Sequence, residues 1–238
     1  MLEEIRLNDL VLLHSVFEYI NSNMYVLIAE NESLIIDPHK NLELTNHLRS
    51  KGIKKTTILL THEHHDHTTG IYWYQEHFDS KLICQQDAAE YISRKQYLRP
   101  TLLAFILGEE DHNNGTHRYD DFKKDFVPRQ YVADVTYEKQ YFFDWQGYSF
   151  RFYHIPGHSL GSNLIILDNQ YAFTGDSLLK GLPVIIRFPG GSKDDYLNKS
   201  LPLLNQLLSP DMTILPGHGD PFVLKDIIDN NQIYVHFR

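Results

Sequence analysis

The sequence predicts an α/β protein. Short apolar runs of strand character recur in both halves of the chain, and segments of helical character lie between them. Four clusters of His and Asp each follow directly on such a run, beside glycine or proline that lets the backbone turn sharply. Sheets with helices on their outer faces are one of the few layered arrangements that bury both kinds of apolar surface.

In chain order, residues 10–15, 24–29 and 33–37 read as strands of a meander, the last two joined through Glu30, Asn31 and Glu32. Residues 42–51 have helical character and stop at Gly52. Thr57, Ile58, Leu59 and Leu60 form an apolar run that reads as a buried strand. A helix is expected over 67–78 and a strand over 81–85. Further strands are expected over 141–143, 148–155, 163–167 and 171–174. Residues 195–208 read as a helix in tension with Pro202, and 223–230 as a final helix. No internal repeat or low-complexity tract interrupts this plan.

Composition narrows the class. A chain of 238 residues can bury a sizeable core, and 42% hydrophobic content with 13% aromatics is that of a globular protein. A single cysteine, Cys84, excludes an internal disulfide and suits a reducing compartment. The acidic start over 1–6 has no apolar core and is not read as a signal peptide. No run approaches 18 uninterrupted apolar residues, so no membrane span is expected, and a cytoplasmic location is the default. A net charge of −9 weighs against a nucleic-acid partner, because phosphate backbones are held by concentrated Lys and Arg.

The chemistry lies in the clusters. The first runs Thr61, His62, Glu63, His64, His65, Asp66, His67 at the exit of the 57–60 strand. Imidazole nitrogen and carboxylate oxygen are ligands for zinc and similar divalent ions. In an extended segment His62 and His64 point the same way, while Asp66 and His67 lie where the chain can turn toward a second point. Three later segments add one donor each: Pro156-Gly157-His158, Thr174-Gly175-Asp176 and Pro216-Gly217-His218-Gly219. Seven candidate ligands result, five His and two Asp.

The ordered set His-x-His-x-Asp-His, Pro-Gly-His, Thr-Gly-Asp and Pro-Gly-His-Gly resembles the metallo-β-lactamase superfamily over roughly residues 10–230. The resemblance implies an αββα sandwich, two mixed β-sheets packed face to face with helices on the outer faces, as a single domain over 1–238. It also implies that His62, His64 and His158 bind one divalent ion, that Asp66, His67 and His218 bind a second, and that Asp176 bridges them. Water or hydroxide between the ions would complete the site, with Asp66 orienting it and accepting its proton. Asp176 stands where some antibiotic-hydrolysing members carry a cysteine ligand. The pattern is closer to the glyoxalase II, lactonase and RNA-processing branches. Flavin-linked diiron members carry Glu at the place of His64 and append a further domain.

The expected function is therefore that of a dinuclear metal-dependent hydrolase cleaving an ester-like bond of a small molecule, a thioester or lactone being favoured. Only 20 residues follow His218, which weighs against the glutathione-binding extension of full-length glyoxalase II. Zinc is the expected metal, with iron and manganese compatible with the same His and Asp donors. The alternatives are an iron-dependent, persulfide dioxygenase-like oxidoreductase, a phosphodiesterase or nuclease, and a non-catalytic metal-bearing sensor. A homo-oligomer is compatible with the sequence.

The interval between His67 and His158 exceeds what the fold requires, and residues 94–137 are read as an insertion. Within it 100–107 reads as the start of a helix with proline at its first turn, and 108–126 as polar and loop-rich. Its apolar residues either cap the metal site or pack against the domain or a second subunit. The remaining histidines, His14, His39, His47, His77, His112, His117, His154 and His236, are read as surface or satisfied core residues. His65 is expected to support the ligands or face solvent. Ser159 and Ser177 are read as turn or supporting residues rather than nucleophiles. Arg187 is read as a surface residue or a contact for an anionic substrate group.

Overall fold

The computed structural model describes residues 2–7 and 10–237; Met1, the head of the acidic start read above, lies outside them. The chain forms two compact units. One comprises residues 1–60, 64–83 and 90–134, the other 61–63, 84–89 and 135–238.

The first unit carries a mixed sheet in the order β1 (Leu2–Leu7), β2 (Leu10–Val16), β3 (Asn23–Ala29), β4 (Glu32–Ile36), β5 (Lys55–Leu59) and β6 (Asp79–Gln85). The first four strands pair antiparallel, as the predicted meander requires, whereas β4, β5 and β6 are parallel, with Ile35 opposite Ile58 and Ile58 opposite Leu82. Parallel neighbours need crossovers, supplied by α1 (Leu42–Ser50) and α2 (Ile71–His77). Asn41 caps α1 by accepting the Leu44 N–H at 2.9 Å, and Gly52 at φ 75° follows its end. The strand β1 was not expected: Glu3, Glu4 and Arg6 give it the charged face of a sheet edge, which reads as polar chain.

The helix expected over 67–78 begins later. A 3-10 turn, His65–His67, comes first, and Gly70 then lies against the backbone of His39, where a Cβ would come within 2.5 Å of the His39 carbonyl carbon. The insertion is more helical than expected. After α3 (Gln86–Ile92), α4 spans Thr101–Asn114 with Pro100 as its cap residue, and α5 spans Arg118–Asp125. The stretch read as loop-rich thus holds the rest of α4 and all of α5. Gly115 at φ 65° ends α4, and the Asp111 carboxylate accepts the N–H groups of Arg118 and Tyr119 at 2.9 and 2.8 Å. Leu103, Leu107 and Phe122 are buried with Phe17 and Tyr19 in one apolar cluster.

In the second unit, after β7 (Val135–Tyr137), β8 (Gln140–Trp145), β9 (Tyr148–His154), β10 (Asn163–Leu167), β11 (Tyr171–Gly175), β12 (Thr213–Pro216) and β13 (Phe222–Val223) form a sheet in sequential order. Only β11 and β12 are parallel in it. Gln146 and Gly147, at φ 49° and 86°, make the two-residue turn that sets Trp145 opposite Tyr148. Pro202 is accommodated because the 195–208 helix is interrupted: a π-turn, Tyr196–Ser200, precedes α6 (Leu201–Leu207), and Pro202 falls in its first turn. The final helix expected over 223–230 does not form. A 3-10 turn, Leu224–Asp226, leads into a short hairpin, β14 (Ile228–Asp229) and β15 (Gln232–Ile233). Asn230 and Asn231 turn it at φ 47° and 65°, a conformation asparagine tolerates and a helix excludes. Among the described residues no helix is long and apolar enough to cross a membrane.

Candidate metal centre

Four of the seven expected ligands belong to the second unit, and glycine turns position them. Thr61, which precedes His62, has its carbonyl held by both the backbone and side-chain N–H of Asn163, each at 2.8 Å. Gly175, at φ 50°, passes so close that a Cβ would meet the Thr61 hydroxyl at 2.5 Å. The Thr61 hydroxyl in turn lies 3.0 Å from His62 Nδ1. Gly157, at φ 141°, packs against Tyr196 and leads into His158, whose Nδ1–H donates to the Ile185 carbonyl at 2.8 Å. The His62 and His158 rings meet edge-on with centroids 4.9 Å apart. Asp176 Oδ2 lies 3.6 Å from His158 Nε2 and 3.4 Å from His218 Nε2. The Gly217 N–H donates to the Gly175 carbonyl at 2.8 Å, tying the last two ligand turns together.

The other three belong to the first unit. The His67 N–H donates to the His64 carbonyl at 3.1 Å, closing the 3-10 turn that presents Asp66 and His67. His67 Nδ1 lies 3.0 Å from Asp37 Oδ2, and its Nε2 lies 3.2 Å from Asp66 Oδ2. Asp37 sits just beyond β4 at φ 55°, its N–H donating to the Leu59 carbonyl at 3.0 Å. The Ser22 hydroxyl donates to the Asp66 carbonyl at 2.9 Å, fixing the turn from the β2–β3 connection. In the sequence Asp37 reads only as the end of a strand. Its one signal was an acidic residue before Pro38 at the end of an apolar run.

This donor chemistry fits metal ions. In a neutral ring, Nδ1–H of His158 given to a carbonyl and Nδ1–H of His67 given to a carboxylate leave Nε2 as the lone-pair atom that a metal takes. Each Nε2 faces a carboxylate oxygen, an arrangement that a metal ion or a proton between the two atoms satisfies. A backbone carbonyl or carboxylate behind the ring is the usual support of a metal-binding imidazole. The set is all nitrogen and oxygen, which zinc, iron and manganese accept alike. Cys84 takes no part: it is buried in β6, and burial pushes its thiol up to about 12.

Other residues fall into supporting or unrelated roles. His65 is buried, stacked on Tyr97 at 4.2 Å, with Nε2 2.8 Å from the Tyr97 carbonyl. Burial lowers its pKa, and it does not face solvent. Ser159 is no free nucleophile, since its hydroxyl donates to Glu63 Oε2 at 2.9 Å, where the Gly161 N–H also donates at 3.1 Å. Burial pushes the Glu63 carboxyl up. The Ser177 N–H closes a turn onto the Thr174 carbonyl. The Arg187 guanidinium lies over Phe188, 5.5 Å from the ring centre. His14 bonds Asn23 at 2.9 Å, His77 stacks on Trp73, and His154 meets the Leu160 carbonyl at 2.8 Å, all structural contacts.

Comparison with known proteins identifies the family. A family model described as the metallo-β-lactamase superfamily matches residues 19–218. A hydroxyacylglutathione hydrolase, GloC, of Haemophilus influenzae is 26% identical over 196 residues, covering 80% of this chain and 81% of its own length. A hydroxyacylglutathione hydrolase of Glaesserella parasuis is 26% identical over 158 residues; the match takes in 66% of this chain but only 50% of that protein. The crystal structure of the BLEG-1 B3 metallo-β-lactamase superposes with a TM-score of 0.66 at 21% identity, covering 97% of this chain and 98% of that one. That likeness shows the fold, two mixed sheets with helices, as expected. The chain belongs to the metallo-β-lactamase superfamily.

Proposed function

We propose that His62, His64 and His158 hold one divalent ion, that Asp66, His67 and His218 hold a second with Asp176 between them, and that the chain hydrolyses an ester-like bond of a small molecule, a thioester or lactone. One observation carries this reading. Within the second unit Asp176 Oδ2 lies 3.6 Å from His158 Nε2 and 3.4 Å from His218 Nε2, and within the first Asp66 Oδ2 lies 3.2 Å from His67 Nε2. These residues are among those that the family resemblance implies as ligands, and the other ligand assignments rest on that resemblance. The names of the relatives support an acyl bond to sulfur, since two are hydrolases of a hydroxyacyl glutathione.

When bound, a pair of such ions lowers the pKa of water to about 7 and polarises the carbonyl under attack. Asp37 holds His67 in the tautomer that turns Nε2 toward the metal side, and the Ile185 carbonyl does the same for His158. Asp66 has one oxygen beside His67 Nε2; its other oxygen accepts the proton of the attacking water. No serine nucleophile is needed, because Ser159 is already committed to Glu63. The net charge of −9 disfavours a polyanionic substrate.

The test joins elemental analysis of freshly purified protein to a panel of thioesters, lactones, phosphodiesters and β-lactams. Two metal equivalents with thioester or lactone turnover are expected. Iron with oxygen uptake and no hydrolysis would replace this reading with the oxidoreductase one. Protein that takes up no metal would end both.

A further inference from the structure

Glu63 follows His62 directly in the second unit and takes no part in the proposed donor set. It is 3% exposed. In extended chain successive side chains point to opposite sides, so Glu63 turns away from the side that His62 faces. Its carboxylate reaches instead the turn that follows His158. The Ser159 hydroxyl donates to Oε2 at 2.9 Å, and the Gly161 N–H donates to Oε1 and Oε2 at 3.3 and 3.1 Å. Both of these donors are neutral. A carboxylate buried without a cation is costly, and an apolar side chain would fill the same space more cheaply.

The turn is shaped to meet that carboxylate. Gly161 lies against Ala88, where a Cβ would come within 2.5 Å of the Ala88 nitrogen, so a larger residue would push its N–H off the carboxylate. The Ser159 hydroxyl spends its proton on Glu63 and accepts from the Ser162 hydroxyl at 2.8 Å, while the Ser159 N–H donates to Ser162 Oγ at 3.1 Å. The Ile155 N–H donates to the Ser162 carbonyl at 2.8 Å and closes the turn at its base. His158 stands inside this turn, next to Ser159, and His62 stands next to Glu63. The two rings, with centroids 4.9 Å apart, are thus tied on their far side by one carboxylate.

We propose that Glu63 is a positioning residue: through Ser159 and Gly161 it holds the His158 ring beside His62 at the spacing that one shared metal ion needs. It touches neither the ion nor the substrate. The role rests on the metal centre proposed above, and it is independent of which bond the chain cleaves. Because Glu63 engages the turn of His158 alone, the ion held by His62 and His158 depends on it, and the ion assigned to Asp66, His67 and His218 does not.

Zinc titration of the metal-stripped full chain against a chromogenic chelator tests the proposal. The parent should take up two equivalents. Glu63→Ala should weaken one of them by about 10-fold or more and leave the other within about 2-fold, the scale of a lost support residue. Glu63→Gln, equal in shape and still an acceptor, should restore most of that affinity. Ser159→Ala should weaken the same equivalent by about 3-fold, and adding it to Glu63→Ala should cost nothing further, since the tie is already cut. Should Glu63→Ala fail to fold, Ser159→Ala carries the test. A residue that serves stability alone would lower the urea midpoint of the metal-free protein and leave both affinities unchanged, which would overturn the proposal, as would equal weakening of both equivalents. Two ions with the expected losses but no hydrolysis of any ester would keep the positioning role and remove the hydrolase reading alone. A parent that takes up no zinc would end both.

Discussion

His67 and His158 are the same ring used in the same way, yet the two units support them differently. Each turns Nε2 toward a carboxylate oxygen, Asp66 for one and Asp176 for the other. Behind His67 stands a buried carboxylate, Asp37, and behind His158 a backbone carbonyl, Ile185. A carboxylate pushes electron density into the ring and makes it a stronger donor; a carbonyl orients without adding charge. On the proposed reading, the first unit tunes its metal affinity through one side chain, while the second has its geometry written into the main chain.

The largest effect is expected where the comparison has no second support to fall back on. Asp176 faces both His158 and His218, so Asp176→Ala should abolish turnover and lower bound metal when measured by elemental analysis. His64→Ala should do the same. Full activity in either variant would mean that the ions, or the reaction, lie elsewhere. Next comes Asp37→Asn, which keeps a hydrogen-bond acceptor behind His67 but removes the charge. Support residues of this kind are worth about 10–100-fold in metal affinity or activity. Competition with a chromogenic chelator would read that loss, and unchanged affinity would make the two histidines equivalent.

The same pair shows why part of the site was legible and part was not. A candidate ligand announces itself by residue type, a preceding strand and a neighbouring glycine, all within a few residues, as in Pro156, Gly157 and His158. A support residue is defined by a partner far along the chain: Asp37 and His67 are 30 positions apart, and no local window joins them. Glu63 was passed over for the same reason, since Ser159 and Gly161, which engage it, lie nearly 100 residues away. The insertion failed differently. The cap of α5 is Asp111, in the preceding helix, so 108–126 reads as loop until the two helices are placed side by side. In the last segment the apolar spacing suggested a helix, but Asn230 and Asn231 decide for a turn.

Burial within the insertion gives the next prediction. Leu107 is fully buried against Phe17, Tyr19 and Phe122, whereas Phe105, two residues away, is 55% exposed. Leu107→Ala should cost about 2–5 kcal/mol in urea unfolding, and Phe105→Ala should fall within about 0.5 kcal/mol of the parent. If Leu107→Ala were as mild as Phe105→Ala, the insertion would be an appendage, not part of the first unit's core.

The smallest effect concerns His39, another imidazole of the first unit, buried without a carboxylate behind it. Its pKa falls from 6.5 to about 4, because burial penalises the charged ring. Above pH 6.5 the ring is neutral in folded and unfolded chains alike, and it adds no pH dependence. As pH drops from 6.5 toward 4 the unfolded chain takes up the proton first, so stability is lost across that window, by roughly 3 kcal/mol at most. His39→Gln should flatten this part of the stability–pH curve in urea titrations between pH 7 and 4.5. An unaltered slope would show that His39 carries its proton in the folded state as well.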